Sequence, residues 1–228
     1  DVTLSGDAGD RWYKPSHLPV ILEKIREKPG VIVLGPGVGR HPDTREFCRT
    51  MIAETAGTYP LILDADALYA VEPQILRTAY SSETSGNEAS GNEAYSSETS
   101  GNDTSTKGTS TRSAPCILTP HPGELRKALG LSFQNDHSRL QAVKMFAAEN
   151  NCFLYSKGYP SIFANPNRMV WITGYDTREF ARAGTGDQLA GAIAAILHQY
   201  QEPEDAVMKA SIAMASVPQP TYIQSQPG

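Results

Sequence analysis

Val31-Ile32-Val33-Leu34-Gly35-Pro36-Gly37-Val38-Gly39 sets the pattern from which the fold is read. Four apolar residues run without a break and stop at a glycine-rich turn. A short continuous apolar run bounded by turn residues suits a buried strand of a parallel sheet. The turn is not a phosphate loop of the Walker type, because no Gly-Lys-Ser/Thr follows it. Nor is it a full Gly-x-Gly-x-x-Gly, because Arg40 stands where the last glycine would be. A tight structural turn explains it as well as a ligand does. Its place at the carboxyl end of a strand is nevertheless where open α/β sheets bind ligands.

The same unit recurs on either side. Upstream, Leu18 to Lys28 reads as an amphipathic helix with Leu18, Ile21, Leu22 and Ile25 on one face, stopped by Pro29-Gly30. Downstream, Thr44 to Ala56 reads as a helix and Leu61-Ile62-Leu63 as the next strand. Asp64-Ala65-Asp66 follows that strand. Two carboxylates one residue apart suit a hydrated Mg²⁺ near phosphates. Asp66 serves equally as the cap of a helix starting near Ala67, while Asp64 is expected to face the ligand crevice. Cys116-Ile117-Leu118 is a third strand, followed by Thr119-Pro120-His121-Pro122-Gly123-Glu124-Leu125. The prolines hold His121 stiffly at a strand end, where imidazole can meet a polar ligand or simply be solvated. Glu124 fits the first turn of the next helix. Arg139 to Asn150 reads as a helix and Cys152 to Tyr155 as a strand, closed by Lys157-Gly158, where the lysine offers charge to a phosphate. Ser161–Ala164 and Met169–Ile172 read as a hairpin around Asn165-Pro166-Asn167. Glu204 to Ala215 reads as a closing helix before a ragged VPQPTYIQSQPG end.

Between the hairpin and that helix lies Ala181 to Leu197, ARAGTGDQLAGAIAAIL. Leu189, Ile193, Ile196 and Leu197 recur at helical spacing, and Gly184-Thr185-Gly186-Asp187 precedes them. Glycines before a helix let a phosphate reach the free N–H groups of the first turn. Asp187 would stand among the anionic oxygens gathered there and could accept a substrate hydroxyl proton. Capping and the helix dipole alone also favour an aspartate at this position.

Alternating strands and helices, with every polar cluster at a strand's carboxyl end, predict an α/β fold. It is a doubly wound, mostly parallel sheet with helices on both faces and one ligand crevice. The 228 residues suit a single domain, interrupted at 81–113 by a low-complexity insert of Ser, Thr, Gly, Asn and Glu. SSETSGN occurs there at Ser81–Asn87 and again at Ser96–Asn102. Such a composition cannot bury enough surface to fold. A net charge of −5 gives no reason to expect a nucleic-acid or anionic-membrane partner. Cys48, Cys116 and Cys152 are widely spaced, which fits neither a zinc site nor a disulfide framework. A reducing, cytoplasmic setting is expected, and neither a signal peptide nor a transmembrane segment is expected.

GPGVG, DADAL, LTPHPGEL, SKG and AGTGDQLAG, in that order, resemble the ribokinase-like superfamily and, within it, the ADP/ATP-dependent NAD(P)H-hydrate dehydratase family. The resemblance runs from about Val31 to Ala215. It implies nucleotide-dependent repair of NADHX and NADPHX: phosphorylation of the hydrate hydroxyl by ADP or ATP, with Mg²⁺, then loss of phosphate. It implies Asp187 as the base, Gly37 and His121 as contacts to the dinucleotide, and Gly184, Thr185 and Gly186 as the anion hole. Lys157, Gly158, Tyr159, Pro160 and Ser161 would form the loop beside the nucleotide. Functional pairing with an epimerase and a homo-oligomer are also expected, without a metal site built from protein groups alone. Gln188 and Ala183 depart from its usual residues, and its segments at both ends are not found, so a truncated member is expected. A hydroxymethylpyrimidine or thiazole kinase, or an inactive nucleotide-binding fragment, are the alternative readings.

Overall fold

The computed structural model describes residues 12–80, 113–174, 184–200 and 202–216. The low-complexity stretch, Ala183 and the VPQPTYIQSQPG end lie outside these residues, apart from Ser113. Six strands form one sheet in the order in which they occur in the chain: β1 (Ile32–Leu34), β2 (Leu61–Leu63), β3 (Cys116–Leu118), β4 (Phe153–Ser156), β5 (Ile162–Ala164) and β6 (Val170–Ile172). β1 to β4 are parallel, and β4, β5 and β6 pair antiparallel.

Side chains alternate across this sheet, as strand geometry requires. Leu61, Leu63, Cys116, Leu118, Leu154, Ile162 and Ala164 face one core. Helices α1 (Leu18–Glu27), α2 (Pro42–Thr55), α3 (Pro73–Tyr80), α4 (Pro122–Lys127) and α5 (Asp136–Glu149) supply its other side. Ile62, Ile117, Tyr155 and Phe163 face a second core, covered by α6 (Thr185–Tyr200) and α7 (Pro203–Ser216). Helices on both faces of a mostly parallel sheet are the expected architecture. The second face is covered by the closing pair α6–α7, which pack against each other, with α6 also lying against β1 and β2. Tyr155 and Ser211 hydrogen-bond at 2.7 Å and tie β4 to α7.

Three local expectations are corrected. β1 is not buried throughout. It pairs only with β2 among the described residues, and Val33 is 38 % exposed. The helix expected near Ala67 is a 3-10 turn over Ala65–Ala70, after which α3 starts at Pro73. Finally, α5 begins at Asp136, before Arg139. Asn135 Oδ1 accepts from the Ser138 N–H at 2.9 Å and Ser138 Oγ accepts from the Asn135 N–H at 3.1 Å, a reciprocal cap that starts the helix early.

Candidate active site

The site is built where β1, β2 and β4 end and α6 begins. Gly35 leaves β1 with φ +123°, and a Cβ there would lie 1.7 Å from the Asp64 carbonyl oxygen. The Asp64 N–H donates to the Leu34 carbonyl at 3.1 Å, so the two strand ends are held together by backbone. Asp64 is 1 % exposed. A carboxylate so deeply placed needs a partner, and Lys157 from the end of β4 supplies one, with Nζ 2.6 Å from Asp64 Oδ1. Asp64 Oδ2 has no hydrogen-bond partner.

The first turn of α6 closes on this pair. A Cβ on Gly186 would sit 3.1 Å from Lys157 Nζ and 3.5 Å from Asp64 Oδ2. Thr185, the first residue of α6, is buried, and Asp187, one residue past Gly186, is exposed. The structure therefore brings together the end of β2, the end of β4 and a helix N-terminus, whose dipole attracts anions.

Asp66 takes a different part. It lies inside the 3-10 turn, with Asp64 in the capping position, so it is not the helix cap. Its carboxylate accepts from the Gly39 N–H at 3.2 Å and from Arg40 Nε at 2.6 Å. Arg40 in turn lies over the Tyr69 ring at 4.4 Å. Asp66 thus fastens the glycine turn. Gly37, at the turn's outer side, has nothing within 4 Å of where a side chain would begin.

His121 caps α4. Its Nδ1 accepts from the Gly123 and Glu124 N–H groups at 2.9 and 3.2 Å, and Glu124 Oε2 accepts from the His121 N–H at 2.8 Å. Accepting at Nδ1 fixes the neutral ring with its proton on Nε2. The side chain stays 55 % exposed. Glu124 is buried and serves the cap, as a first-turn acid.

The Lys157–Ser161 loop is pinned from inside. Lys157 N–H donates to the Pro120 carbonyl at 2.8 Å, and Ser161 Oγ donates to the Gly158 carbonyl at 2.9 Å. Tyr159 is exposed. Beside this loop is a cavity of about 150 Å³ lined by Ser161, Phe163, Trp171, Thr173, Ser211 and Ile212, among others. Thr173, whose Oγ1 accepts from the Ser161 N–H at 2.9 Å, and Ser211 are residues that motif reading passed over. Their only sequence signal is proximity to the hairpin and to a helix face.

The model of a family described as NAD(P)H-hydrate dehydratase matches residues 99–221, more than half of the chain. This chain belongs to that family. A bifunctional NAD(P)H-hydrate repair enzyme of Salinibacter ruber is 30 % identical over 189 residues, 83 % of this chain and 29 % of that protein. The ADP-dependent (S)-NAD(P)H-hydrate dehydratase of Bacillus subtilis is 33 % identical over 100 residues, 43 % of this chain and 36 % of that one. The chain thus spans about a third or less of the length of these curated relatives. A crystal structure of the Bacillus subtilis ADP/ATP-dependent dehydratase, grown with ATP/Mg²⁺ and soaked with CoA, superposes with a TM-score of 0.56 at 22 % identity. It covers 89 % of this chain and 67 % of that chain, and supports the ribokinase-like fold.

Proposed function

We propose that this chain carries the nucleotide-dependent dehydratase activity that returns NADHX and NADPHX to NADH and NADPH. The observation that carries the reading is the meeting of Lys157, Asp64 and Gly186 at the N-terminus of α6. A fixed cation and the positive end of a helix at one point make a phosphate site. Asp187 stands one residue further along, where a base is needed.

In this reading the terminal phosphoryl group of ADP or ATP lies against Gly184, Thr185 and Gly186. Lys157 supports its charge. The cavity beside Ser161, walled by Phe163 and Trp171, receives the flat adenine ring. The glycine turn at Gly37 and the exposed His121 face the hydrated dinucleotide. Asp187 accepts the proton of the hydrate hydroxyl, whose oxygen attacks the terminal phosphorus as the bond to the leaving nucleotide breaks. The ester then loses phosphate, and a ring proton leaves to restore the double bond. Water is lost from the hydrate and appears in the released phosphate.

Mg²⁺ fits one atom of this site. Asp64 Oδ2 is buried, unpartnered and directed toward Gly186, whereas both oxygens of Asp66 are taken by Gly39 and Arg40. Asp64 would be the protein oxygen for a cation held otherwise by phosphates and water. When bound, the cation neutralises phosphate charge. Pairing with an epimerase activity accords with the bifunctional name of the Salinibacter relative, and homo-oligomer assembly and a reducing cytoplasmic setting belong to the same proposal.

The test is recovery of NADH absorbance from purified NADHX with ADP or ATP, run alongside Asp187→Asn. Recovery that requires both nucleotide and Asp187 is expected. A stable phosphate ester would indicate a kinase. No reaction from a folded chain that binds nucleotide would leave an inactive fragment.

A further inference from the structure

Arg139 projects from α5 into the loop that follows β4, and its side chain is 3 % exposed. One terminal nitrogen donates to the Pro160 carbonyl at 2.6 Å and lies 3.1 Å from Asp136 Oδ1. The other comes within 2.8 Å of where a Cβ on Gly158 would be, and Gly158 has φ +140°, so the guanidinium fills the space left by the missing side chain. Arg139 Nε is buried with no hydrogen-bond partner. Burial pulls this guanidinium below the ordinary arginine range, with Asp136 opposing the shift.

This arrangement is a poor way to hold α5 to the sheet. Burying a charge is costly, and Asp136, 67 % exposed, returns little as an ion-pair partner. A long apolar residue would join the helix to the loop at lower cost. What the guanidinium adds is geometry. It fixes the Pro160 carbonyl and backs Gly158, whose own carbonyl is held by Ser161 Oγ.

We propose that Arg139 is a positioning residue for the nucleotide: it sets the shape of the Lys157–Ser161 loop without touching the ligand. The proposal rests on reading that loop as the nucleotide loop. Arg139 thus acts on nucleotide affinity through Gly158 and Pro160 and leaves the hydrated dinucleotide's own contacts alone.

The experiment compares the full chain with Arg139→Lys and Arg139→Met. Nucleotide affinity is measured by calorimetry, KM for nucleotide and for NADHX by NADH recovery, and amide exchange at residues 158–161 by mass spectrometry. The expected result is a nucleotide Kd and KM raised about tenfold or more in Arg139→Met, with KM for NADHX and kcat within about twofold. Faster exchange is expected at 158–161, with unchanged protection in β2 and β3. Free guanidinium should restore part of the affinity, and Arg139→Lys should lie between parent and Met. If Arg139→Met does not fold, Arg139→Lys carries the same comparison. Parent-like nucleotide binding by a folded variant, or an equal rise in both KM values, overturns the proposal. A folded parent chain that binds neither ADP nor ATP overturns the reading of the loop itself, and this proposal with it.

Discussion

Lys157 Nζ and Asp64 Oδ1 lie 2.6 Å apart, joining the ends of β4 and β2, with the carboxylate almost fully buried. Removing Lys157 leaves the Asp64 carboxylate, 1 % exposed, charged and without its cation. Lys157→Met is therefore expected to cost about 3–5 kcal/mol in urea unfolding. Asp64→Leu combined with Lys157→Met should cost clearly less than the sum of the single changes, because the pair leaves together. Strict additivity would show that the contact contributes nothing.

Gly35→Ala tests the backbone under that pair. A Cβ at this position meets the Asp64 carbonyl oxygen at 1.7 Å, and a main-chain atom between two parallel strands cannot step aside. The expected loss exceeds about 4 kcal/mol, or the chain fails to fold. Gly37→Ala is the comparison. It has positive φ but nothing within 4 Å, so strain of about 1–2 kcal/mol is all that applies. Equal losses at the two positions would refute the packing argument.

The strands were legible because their apolar runs end sharply in glycine, proline or aspartate, and the structure places Leu61–Leu63 and Cys116–Leu118 where that pattern puts them. That β1 pairs only with β2 among the described residues was not legible, because Val31 to Leu34 reads the same with one neighbour as with two. In the site, Asp64, Lys157 and Gly186 each carried a local signal, yet their meeting is set by sheet order and by α6 lying against β1 and β2. Asp66 misled because a carboxylate after a strand looks alike whether it caps a helix or holds a turn. Arg139 read only as a helical residue, since its use depends on a loop 21 positions away.

His121 has two separable duties. Its Nδ1 caps α4, and its ring, with Nε2 3.4 Å from Glu124 Oε1, stays 55 % exposed and within reach of a substrate. His121→Ala should lose about 1 kcal/mol of stability with the cap. Asn is a good capping residue, so His121→Asn should keep most of that stability while raising KM for NADHX. Retention of parent KM by a folded His121→Asn would confine His121 to the cap.

The three cysteines form no disulfide and are buried. Burial pushes the Cys48 thiol up to about 11, and that of Cys152 well above its ordinary value. A thiolate is needed for alkylation, so iodoacetamide at about pH 8 should label them only after denaturation. The raised values also fix a sign. The Cys48 contribution to stability is complete below the ordinary thiol value of 9.0 and is lost as pH rises through its folded value near 11. Urea midpoints should therefore fall across that alkaline window. Rapid labelling of the native chain would show that the sheet opens locally.

Gly186→Ala should behave in the opposite way to Gly35→Ala. Position 186 lies in the first turn of α6, where alanine is the better helix former by about 1 kcal/mol. The added Cβ would meet Lys157 Nζ at 3.1 Å and Asp64 Oδ2 at 3.5 Å. The nearer of these is the end of a flexible side chain, which can move a few tenths of an ångström without disturbing the core. Stability should be unchanged or slightly raised. Any phosphate on the α6 N–H groups, however, would meet a methyl group in front of it and a displaced lysine beside it. NADH recovery should drop about a hundredfold, the scale expected when reacting groups are misplaced by about 1 Å. Unimpaired turnover in a chain of parent-like melting temperature would place the phosphoryl group away from the N-terminus of α6.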